Sequence, residues 1–436
     1  MKVLIVGGGG REHALAWKLQ QSPGVDMIFC APGNAGTEAL GQNVPLQPDD
    51  TPGLIKFAKE NQIGLAVVGP DNPLAAGLVD EFQKENLRIF GPTKSAARLE
   101  ASKVFAKQVM RSAGIPTALA GVFDDSRKAC RFAEKLHYPI VIKADGLAAG
   151  KGVIIAPNTH SAMDAIADML DRGRFGAAGS RVLIEEFLDG WECSLHVLFS
   201  GDDYKLLGTA CDYKRLKDAD EGPNTGGMGA YSPALKWHAE LERQFEEKIM
   251  RPLLQGLRDE KIQFSGLLFP GLMITGQTAR VLEFNCRFGD PETQVILPRL
   301  KNDLLPLLEA TIDGQLGEVK MQLDPRAAVT VVMASAGYPG NVQEGQEISG
   351  LEECRQMQNV HVFHAGTRRQ QGRILSSGGR VLSVTALGET VSAARARAYE
   401  AVAKIHFEGC QYRHDIALAA VTAKDETIDG ASRSQG

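Results

Sequence analysis

A chain of 436 residues is long enough for about three domains. Its content of 44% hydrophobic and 23% charged residues is that of an ordinary globular protein, and no apolar run approaches the roughly 20 residues needed to span a bilayer. A net charge of −5 provides no general basic field, which argues against nucleic acid or an anionic membrane as partner and requires any anion site to be built locally.

Met1-Lys2-Val3-Leu4-Ile5-Val6 runs straight into glycines, so it reads as a buried first strand and not as a signal peptide. Up to about residue 100, apolar runs at 3–6, 27–30, 65–68 and 88–90 predict strands of a parallel sheet, which favours unbroken Val/Ile/Leu stretches. Patterns at 11–21, 51–61 and 73–85 predict the connecting helices. Ligand positions in such a sheet lie beyond the carboxyl ends of its strands, where residues 7–12, 31–36 and 69–72 fall. A single helix over 95–113 carries the chain into a second region. There 140–144, 152–156 and 181–185 predict strands of a small α/β subdomain, with a helix at 161–172. A larger antiparallel sheet follows from 193–199, 205–211, 266–274 and 280–286, with helices 239–260 and 292–313 packed on it. A third region begins near 327, with strands 328–334, 361–365 and 380–387 and a helix at 390–405. The polar tail from 423 predicts disorder. The seven cysteines are odd in number and never in CxxC spacing, which argues against zinc and disulfides and for a reducing cytoplasm. The nine histidines form no metal-spaced cluster.

Gly7-Gly8-Gly9-Gly10-Arg11-Glu12-His13 joins the first strand to the first helix, presenting backbone N–H groups and a helix dipole to an anion. A dinucleotide fingerprint is not met: the third glycine of GxGxxG falls on Glu12 or His13, and no acidic residue stands about 20 positions on. A phosphate-bearing substrate and a tight turn without ligand both stay open. Lys143-Ala144-Asp145-Gly146-Leu147-Ala148-Ala149-Gly150-Lys151-Gly152 links two strands through small residues that let the backbone approach a polyphosphate, with lysines at both ends. It misses the P-loop pattern because Gly152 follows Lys151, and alone it reads equally as a hairpin with solvated lysines. Lys103, upstream, reads alone as a surface lysine. Glu185-Glu186-Phe187-Leu188 ends a strand where exposed backbone can read an adenine edge, and Glu192 can reach ribose hydroxyls; an acidic turn is the competing reading. Residues 222–233 hold too many glycines and prolines for a regular element, and Asp212-Tyr213-Lys214-Arg215 precedes them with a carboxylate and two cations. In Leu282-Glu283-Phe284-Asn285-Cys286-Arg287, strand alternation puts the apolar residues on one face and Glu283, Asn285 and Arg287 on the other. Hard oxygens there suit Mg²⁺, and the arginine suits a phosphate or carboxylate.

A lysine, a lysine-flanked glycine loop, a Glu-x-Phe-Leu hinge with a trailing glutamate and then Glu-x-Asn, in that order, resemble the ATP-grasp superfamily. Within it the chain is similar to the glycinamide ribonucleotide synthetase family. The resemblance is carried by Gly10-Arg11-Glu12-His13-Ala14, Ala31-Pro32-Gly33-Asn34, residues 143–152, Pro223-Asn224-Thr225-Gly226-Gly227-Met228-Gly229 and residues 283–292, and runs to about Ile416. Asp71 stands where that family favours glutamate and Tyr213 where histidine is common. Residues 266–274 offer no second carboxylate for a metal.

The resemblance implies an α/β protein with an N-terminal parallel-sheet (pre-ATP-grasp) domain at 1–102, an ATP-grasp fold at 103–326 with a small lid subdomain at about 120–190, a small C-terminal α/β domain at 327–422, and a disordered tail at 423–436. It implies ATP-driven joining of glycine to 5-phosphoribosylamine through glycyl phosphate, giving glycinamide ribonucleotide. Mg²⁺ or Mn²⁺ would sit on Glu283 and Asn285. ATP would sit on Lys103, Lys143, Glu185, Glu186, Phe187, Leu188 and Glu192, under a closing loop with Gly150 and Lys151. Arg287 and Lys143 would serve the chemistry. The substrates are placed on Gly8, Gly10, Arg11, Glu12, Gly33, Asn34, Asp212, Lys214, Arg215, Asn224, Thr225, Gly226, Arg287, Gly289 and Asp290. A cytoplasmic monomer or weak homodimer, with neither nucleic acid nor membrane as partner, completes the expectation. The alternatives are an ATP-grasp enzyme of the same pathway that activates formate or bicarbonate, and a nucleotide-binding sensor without turnover.

Overall fold

The computed structural model describes residues 1–148 and 152–421, so the expected tail disorder and the expected roles of Gly150 and Lys151 lie outside the described residues. Strands β1 (Lys2–Gly7), β2 (Met27–Pro32), β3 (Gln42–Asn43), β4 (Leu65–Val68) and β5 (Ile89–Phe90) form a parallel sheet in the order β3-β2-β1-β4-β5. Val3, Leu4, Ile5 and Val6 are fully buried, as a central parallel strand covered on both faces requires. Helices α1 (Gly10–Leu19), α2 (Thr51–Glu60), α3 (Asp71–Ala76) and α4 (Leu78–Lys84) connect these strands. The helix expected over 73–85 is two, because Gly77 adopts a φ of 101° that ends one and starts the next.

The helix expected over 95–113 is likewise divided, into α5 (Lys94–Ala101) and α6 (Lys103–Ser112). Ser102 stays extended, and its hydroxyl accepts the Phe105 N–H while donating to Asp145. The capping preference of serine overrides the helical periodicity on either side. Beyond α6, strands β6 (Ala120–Phe123), β7 (Ile140–Ala144), β8 (Val153–Ala156) and β9 (Val182–Glu186) make a four-stranded sheet in the order β6-β9-β7-β8. Helices α7 (Ser126–Ala133) and α8 (Thr159–Leu170) cover one face with Ala129, Ala162 and Ile166; β6 and α7 are not among the expected elements.

A third sheet holds β10 (Trp191–Ser200), β11 (Asp203–Asp212), β14 (Gly229–Ser232), β15 (Ser265–Thr275), β16 (Thr278–Asn285), β17 (Ala327–Ala334), β18 (Val360–His364) and β21 (Arg380–Gly388). Its order is β16-β15-β10-β11-β14-β17-β21-β18, so the second and third regions share one eight-stranded sheet. Two ribbons flank it, β12 (Arg215–Lys217) with β13 (Glu221–Asn224), and β19 (Thr367–Gln370) with β20 (Arg373–Ser376). The segment 222–233, expected to be irregular, therefore contains β13 and β14. Its glycines serve close packing: a Cβ on Gly229 would lie 2.7 Å from the Thr330 carbonyl oxygen of β17.

The helix expected over 239–260 is continuous but passes from α9 (Ala239–Gln244) through a π turn at Phe245–Met250 into α10 (Arg251–Asp259). Pro252 has no N–H for a regular ladder, and a π turn absorbs the mismatch. The helix expected over 292–313 is broken into α11 (Thr293–Ile296), a 3₁₀ turn holding Pro298, and α12 (Leu304–Ile312), whose Leu305 N–H is capped by Asp303. Helices α13 (Leu351–Arg355) and α14 (Val391–Val402) complete the third region.

Candidate active site

A cavity of about 710 Å³ lies between the uncovered face of the small sheet, helix α6 and the β10-β15-β16 end of the large sheet. Of the residues marked in the sequence, Lys103, Lys143, Glu185, Glu186, Phe187, Leu188, Glu192, Asp212, Lys214, Arg215, Asn224, Thr225, Gly226, Glu283, Asn285, Arg287 and Asp290 all line it. Residues separated by up to 187 positions thus meet on one surface.

The strand alternation expected for residues 282–287 is interrupted. Gly271 pairs with Glu283 and Leu272 with Val281, so Leu282 is an extra residue on β16. This bulge turns Leu282 out of the core into a small apolar cluster with Ala118, Leu188 and Met273, whereas Val281, Phe284 and Cys286 stay inside. Leu282 and Glu283 therefore both address the cavity. Among the described residues, the Glu283 side chain makes no hydrogen bond and no ion pair within 4.0 Å. Burial raises its pKa, but Lys214, Lys143, Lys103 and Arg287 outweigh that and hold it below the ordinary carboxylate value. Asn285 accepts only a long contact from Arg287 at 3.4 Å and donates another to Phe269 at 3.5 Å.

Glu100 of α5, which no motif marks, enters this site from below. One carboxylate oxygen pairs with Arg287 at 3.0 Å and the other accepts the Cys286 N–H at 2.7 Å. Burial holds Glu100 in the raised direction despite that arginine. The four buried positions Ala96, Ala97, Leu99 and Glu100 of α5 form one face, and a glutamate on a buried face is the sequence signal that could have found it.

Lys143 projects from β7 and pairs with Glu185 at 2.7 Å, also donating to the Leu282 carbonyl at 3.2 Å. Burial would lower its pKa, yet Glu185 and Glu283 keep it above the ordinary lysine value. Lys103 reaches the Gly146 carbonyl at 3.1 Å and is lowered, chiefly by burial. Glu185, marked as a hinge residue, turns its side chain inward between Lys143 and Lys107, which also pairs with it at 2.5 Å. Lys107 stands one helical turn beyond Lys103 on α6; a lysine between Phe105, Ala106 and Val109 is the signal missed.

Glu186 accepts the Leu119 N–H at 2.9 Å, and Phe187 is partly exposed beside it. Glu192 pairs with Lys214. Burial pushes Asp212 up to about 6, and burial with Asp212 as neighbour also raises Glu292. Both carboxylates line the cavity, and Ser194 makes a long contact to Glu292 at 3.5 Å. Like charges that face each other in a buried site favour the protonated form of one member.

Gly8, Gly10, Arg11, Glu12, Gly33, Asn34 and Gly289 are not part of this lining. They gather at the carboxyl ends of β1 and β2, next to Asp290. A Cβ on Gly9 would lie 3.5 Å from the Asp290 carboxylate, and Arg11 donates to the Phe288 carbonyl at 3.2 Å. Glu12 caps its own helix through the Gly9 N–H and pairs with Arg11. Asn34 donates to the Gly8 and His364 carbonyls and accepts the Gly36 and Thr37 N–H groups. Arg380 of β21 joins the third region to this corner, pairing with Asp290 at 3.0 Å and donating to the Gly226 carbonyl at 2.6 Å.

Four cations, Lys103, Lys143, Lys214 and Arg287, thus converge on a free carboxylate at the mouth of an apolar slot made by Val141, Leu183, Leu188, Met273 and Leu282. That pairing of an apolar slot with a cationic end fits a purine carrying phosphates. The oxygens of Glu283 and Asn285 fit a hard divalent cation. No group of three His, Cys, Asp or Glu side chains able to hold a metal stands together among the described residues, so such an ion would complete its shell with ligand oxygens and water. No helix among those residues is long and apolar enough to cross a membrane.

Residues 1–100 match the family described as "Phosphoribosylglycinamide synthetase, N domain", residues 101–293 its "ATP-grasp (A) domain" and residues 328–419 its "C domain". A phosphoribosylamine–glycine ligase from Vibrio parahaemolyticus is 48% identical over 429 residues, covering 98% of this chain and 100% of the relative. One from Brucella melitensis is 48% identical over 421 residues, covering 97% of this chain and 98% of the relative. The crystal structure of the phosphoribosylamine–glycine ligase from Thermotoga maritima superposes with a TM-score of 0.83 at 35% identity, over 96% of this chain and 100% of that one. The biotin carboxylase domain of Hydrogenobacter thermophilus 2-oxoglutarate carboxylase, at 15% identity and a TM-score of 0.73 over 94% of this chain and 91% of that one, shares the fold.

Proposed function

The chain belongs to the phosphoribosylglycinamide synthetase family, and from that premise we infer how its cavity divides the work of an ATP-dependent ligase. The reaction joins glycine to 5-phosphoribosylamine, consuming ATP and giving glycinamide ribonucleotide in purine biosynthesis. A carboxylate is a poor acylating agent. Glycine therefore takes the γ-phosphoryl group of ATP, and the amine nitrogen of phosphoribosylamine then displaces phosphate from the acyl carbon. Such chemistry needs alignment and charge neutralisation more than an enzyme nucleophile.

The convergence of four cations around Glu283 carries this assignment of roles. Lys103 and Lys143 hold ATP phosphates, and Arg287 faces the transferring group. Glu283 and Asn285 would hold Mg²⁺ or Mn²⁺, which would neutralise phosphate charge and orient the triphosphate. The apolar slot takes adenine, with the backbone at Leu188 reading its edge and Glu192 reaching ribose. Asp212, Lys214 and residues 223–229 face the amine-bearing substrate. Gly8, Gly10 and Arg11 are proposed at its phosphoribosyl end, where the α1 N-terminus points.

Phosphate release measured with each substrate omitted tests the reading. Release should require glycine and phosphoribosylamine together, and formate or bicarbonate in place of glycine should give none. Release with formate would favour the rival activation chemistry, and nucleotide binding without release would favour a sensor. For Glu192→Ala, the KM for ATP should rise about tenfold while the KM for glycine changes less than about twofold, since one hydrogen bond to a charged group is lost on the ATP side. Equal rises for both substrates would assign Glu192 to holding Lys214 instead.

A further inference from the structure

Three ammonium donors are available to each lysine, and the two lysines on Glu185 spend theirs differently. Lys107, only 2% exposed, pairs with Glu185 Oε1 at 2.5 Å, donates to Thr117 Oγ1 at 2.6 Å and makes a long contact to the Ala118 carbonyl at 3.4 Å. Lys107 lines the cavity too, but these contacts, an ion pair and two donations, all tie it to the protein. Lys143 pairs with Glu185 Oε2 at 2.7 Å and donates to the Leu282 carbonyl at 3.2 Å, which leaves one N–H for the cavity it lines. Thr117 passes the connection on, donating to the Val281 carbonyl at 2.6 Å. Helix α6, strands β9 and β7 and the bulged end of β16 are thereby tied together directly before Glu283.

We propose that Lys107 is a positioning residue for ATP: by neutralising one oxygen of Glu185 it confines Lys143 to the other and keeps the third Lys143 donor turned to the phosphates. The proposal rests on the reading of Lys143 as a phosphate lysine. Without Lys107 the buried carboxylate has a single counter-ion, and both of its oxygens draw on the Lys143 ammonium. The cavity then loses the donor that ATP needs, although Lys143 itself has not been altered.

Steady-state kinetics of the full chain test this. Lys107→Met should raise the KM for ATP about tenfold while the KM for glycine stays within about twofold, the size of coupling expected between contacting charges. In the double variant Lys107→Met/Glu185→Gln the carboxylate that captures Lys143 is gone, so its KM for ATP should fall below that of Lys107→Met alone. Losses that instead multiply in the double variant, or parallel rises for ATP and glycine, overturn the proposal. If Lys107→Met does not fold, Thr117→Val removes one Lys107 partner without changing charge and should raise the KM for ATP about threefold; no change overturns the proposal. Lys143→Ala separates the two levels. A normal KM for ATP in that variant refutes the phosphate role itself, whereas a raised one beside a normal Lys107→Met refutes only the positioning.

Discussion

Replacing Glu283 by glutamine should lower kcat about 10³-fold, or about 4 kcal/mol of transition-state stabilisation, while leaving the fold intact. The side chain forms no hydrogen bond or ion pair within 4.0 Å among the described residues, so an isosteric neutral amide disturbs no packing. What it removes is the negative centre about which Lys103, Lys143, Lys214 and Arg287 are disposed. Asn285→Ala should act in the same direction, because its carbonyl oxygen is engaged only by a 3.4 Å contact and is free for ligation. Activity titrated against Mg²⁺ and Mn²⁺ is the measurement. A higher metal requirement in both variants is expected, and unchanged turnover at limiting metal would remove Glu283 and Asn285 from ligation.

Arg287→Met should be nearly as severe for turnover and, unlike Glu283→Gln, should also destabilise the protein. If the guanidinium faces the transferring group as proposed, its loss costs about 10²–10³ in kcat. It also strands Glu100, whose remaining partner is the Cys286 N–H. Breaking a buried pair from one side costs about 3–5 kcal/mol. The sign of the pH dependence follows from burial. Glu100 is already raised above its ordinary value with Arg287 present, and removing the arginine raises it further. A carboxyl group raised in the folded state favours folding at low pH, and its contribution is lost as pH rises from its ordinary value through the raised one. The thermal midpoint of Arg287→Met, relative to the parent, should therefore fall further at pH 8 than at pH 5. An equal decrement at both would mean that losing Arg287 does not raise Glu100 any further.

Much of the site is legible in the sequence because the relevant side chains sit in short runs at strand ends. Glu283-x-Asn285-x-Arg287 announces itself by alternation, and Lys143 and Glu185–Glu192 by position. The bulge at Leu282 is invisible, since an inserted residue is defined by the partner strand and not by its own neighbours. Glu100 and Lys107 are hidden for a different reason. Each is a charged residue on an amphipathic helix, where an exposed face is the default reading, and only tertiary packing reveals it as buried. The fold is misjudged where one residue's local chemistry outweighs periodicity, as at Gly77, Ser102 and Pro298. At 222–233 the error runs the other way: glycine density reads as irregularity, but it marks a strand pressed against its neighbour.

Strand β14 is hydrogen-bonded to β11 on one side and β17 on the other. Its four residues are buried, and β17, β21 and β18 extend the sheet beyond it. The last part of the chain is therefore not an appendage that can be shed. A protein cut after Arg326 would present the unpaired backbone of β14 as a sticky rim, a template for another copy. Such a fragment should scatter light in proportion to concentration, and amide exchange in β11 should quicken with the loss of its shielded neighbour. A monodisperse fragment with β11 still protected would mean that β14 keeps its place without β17.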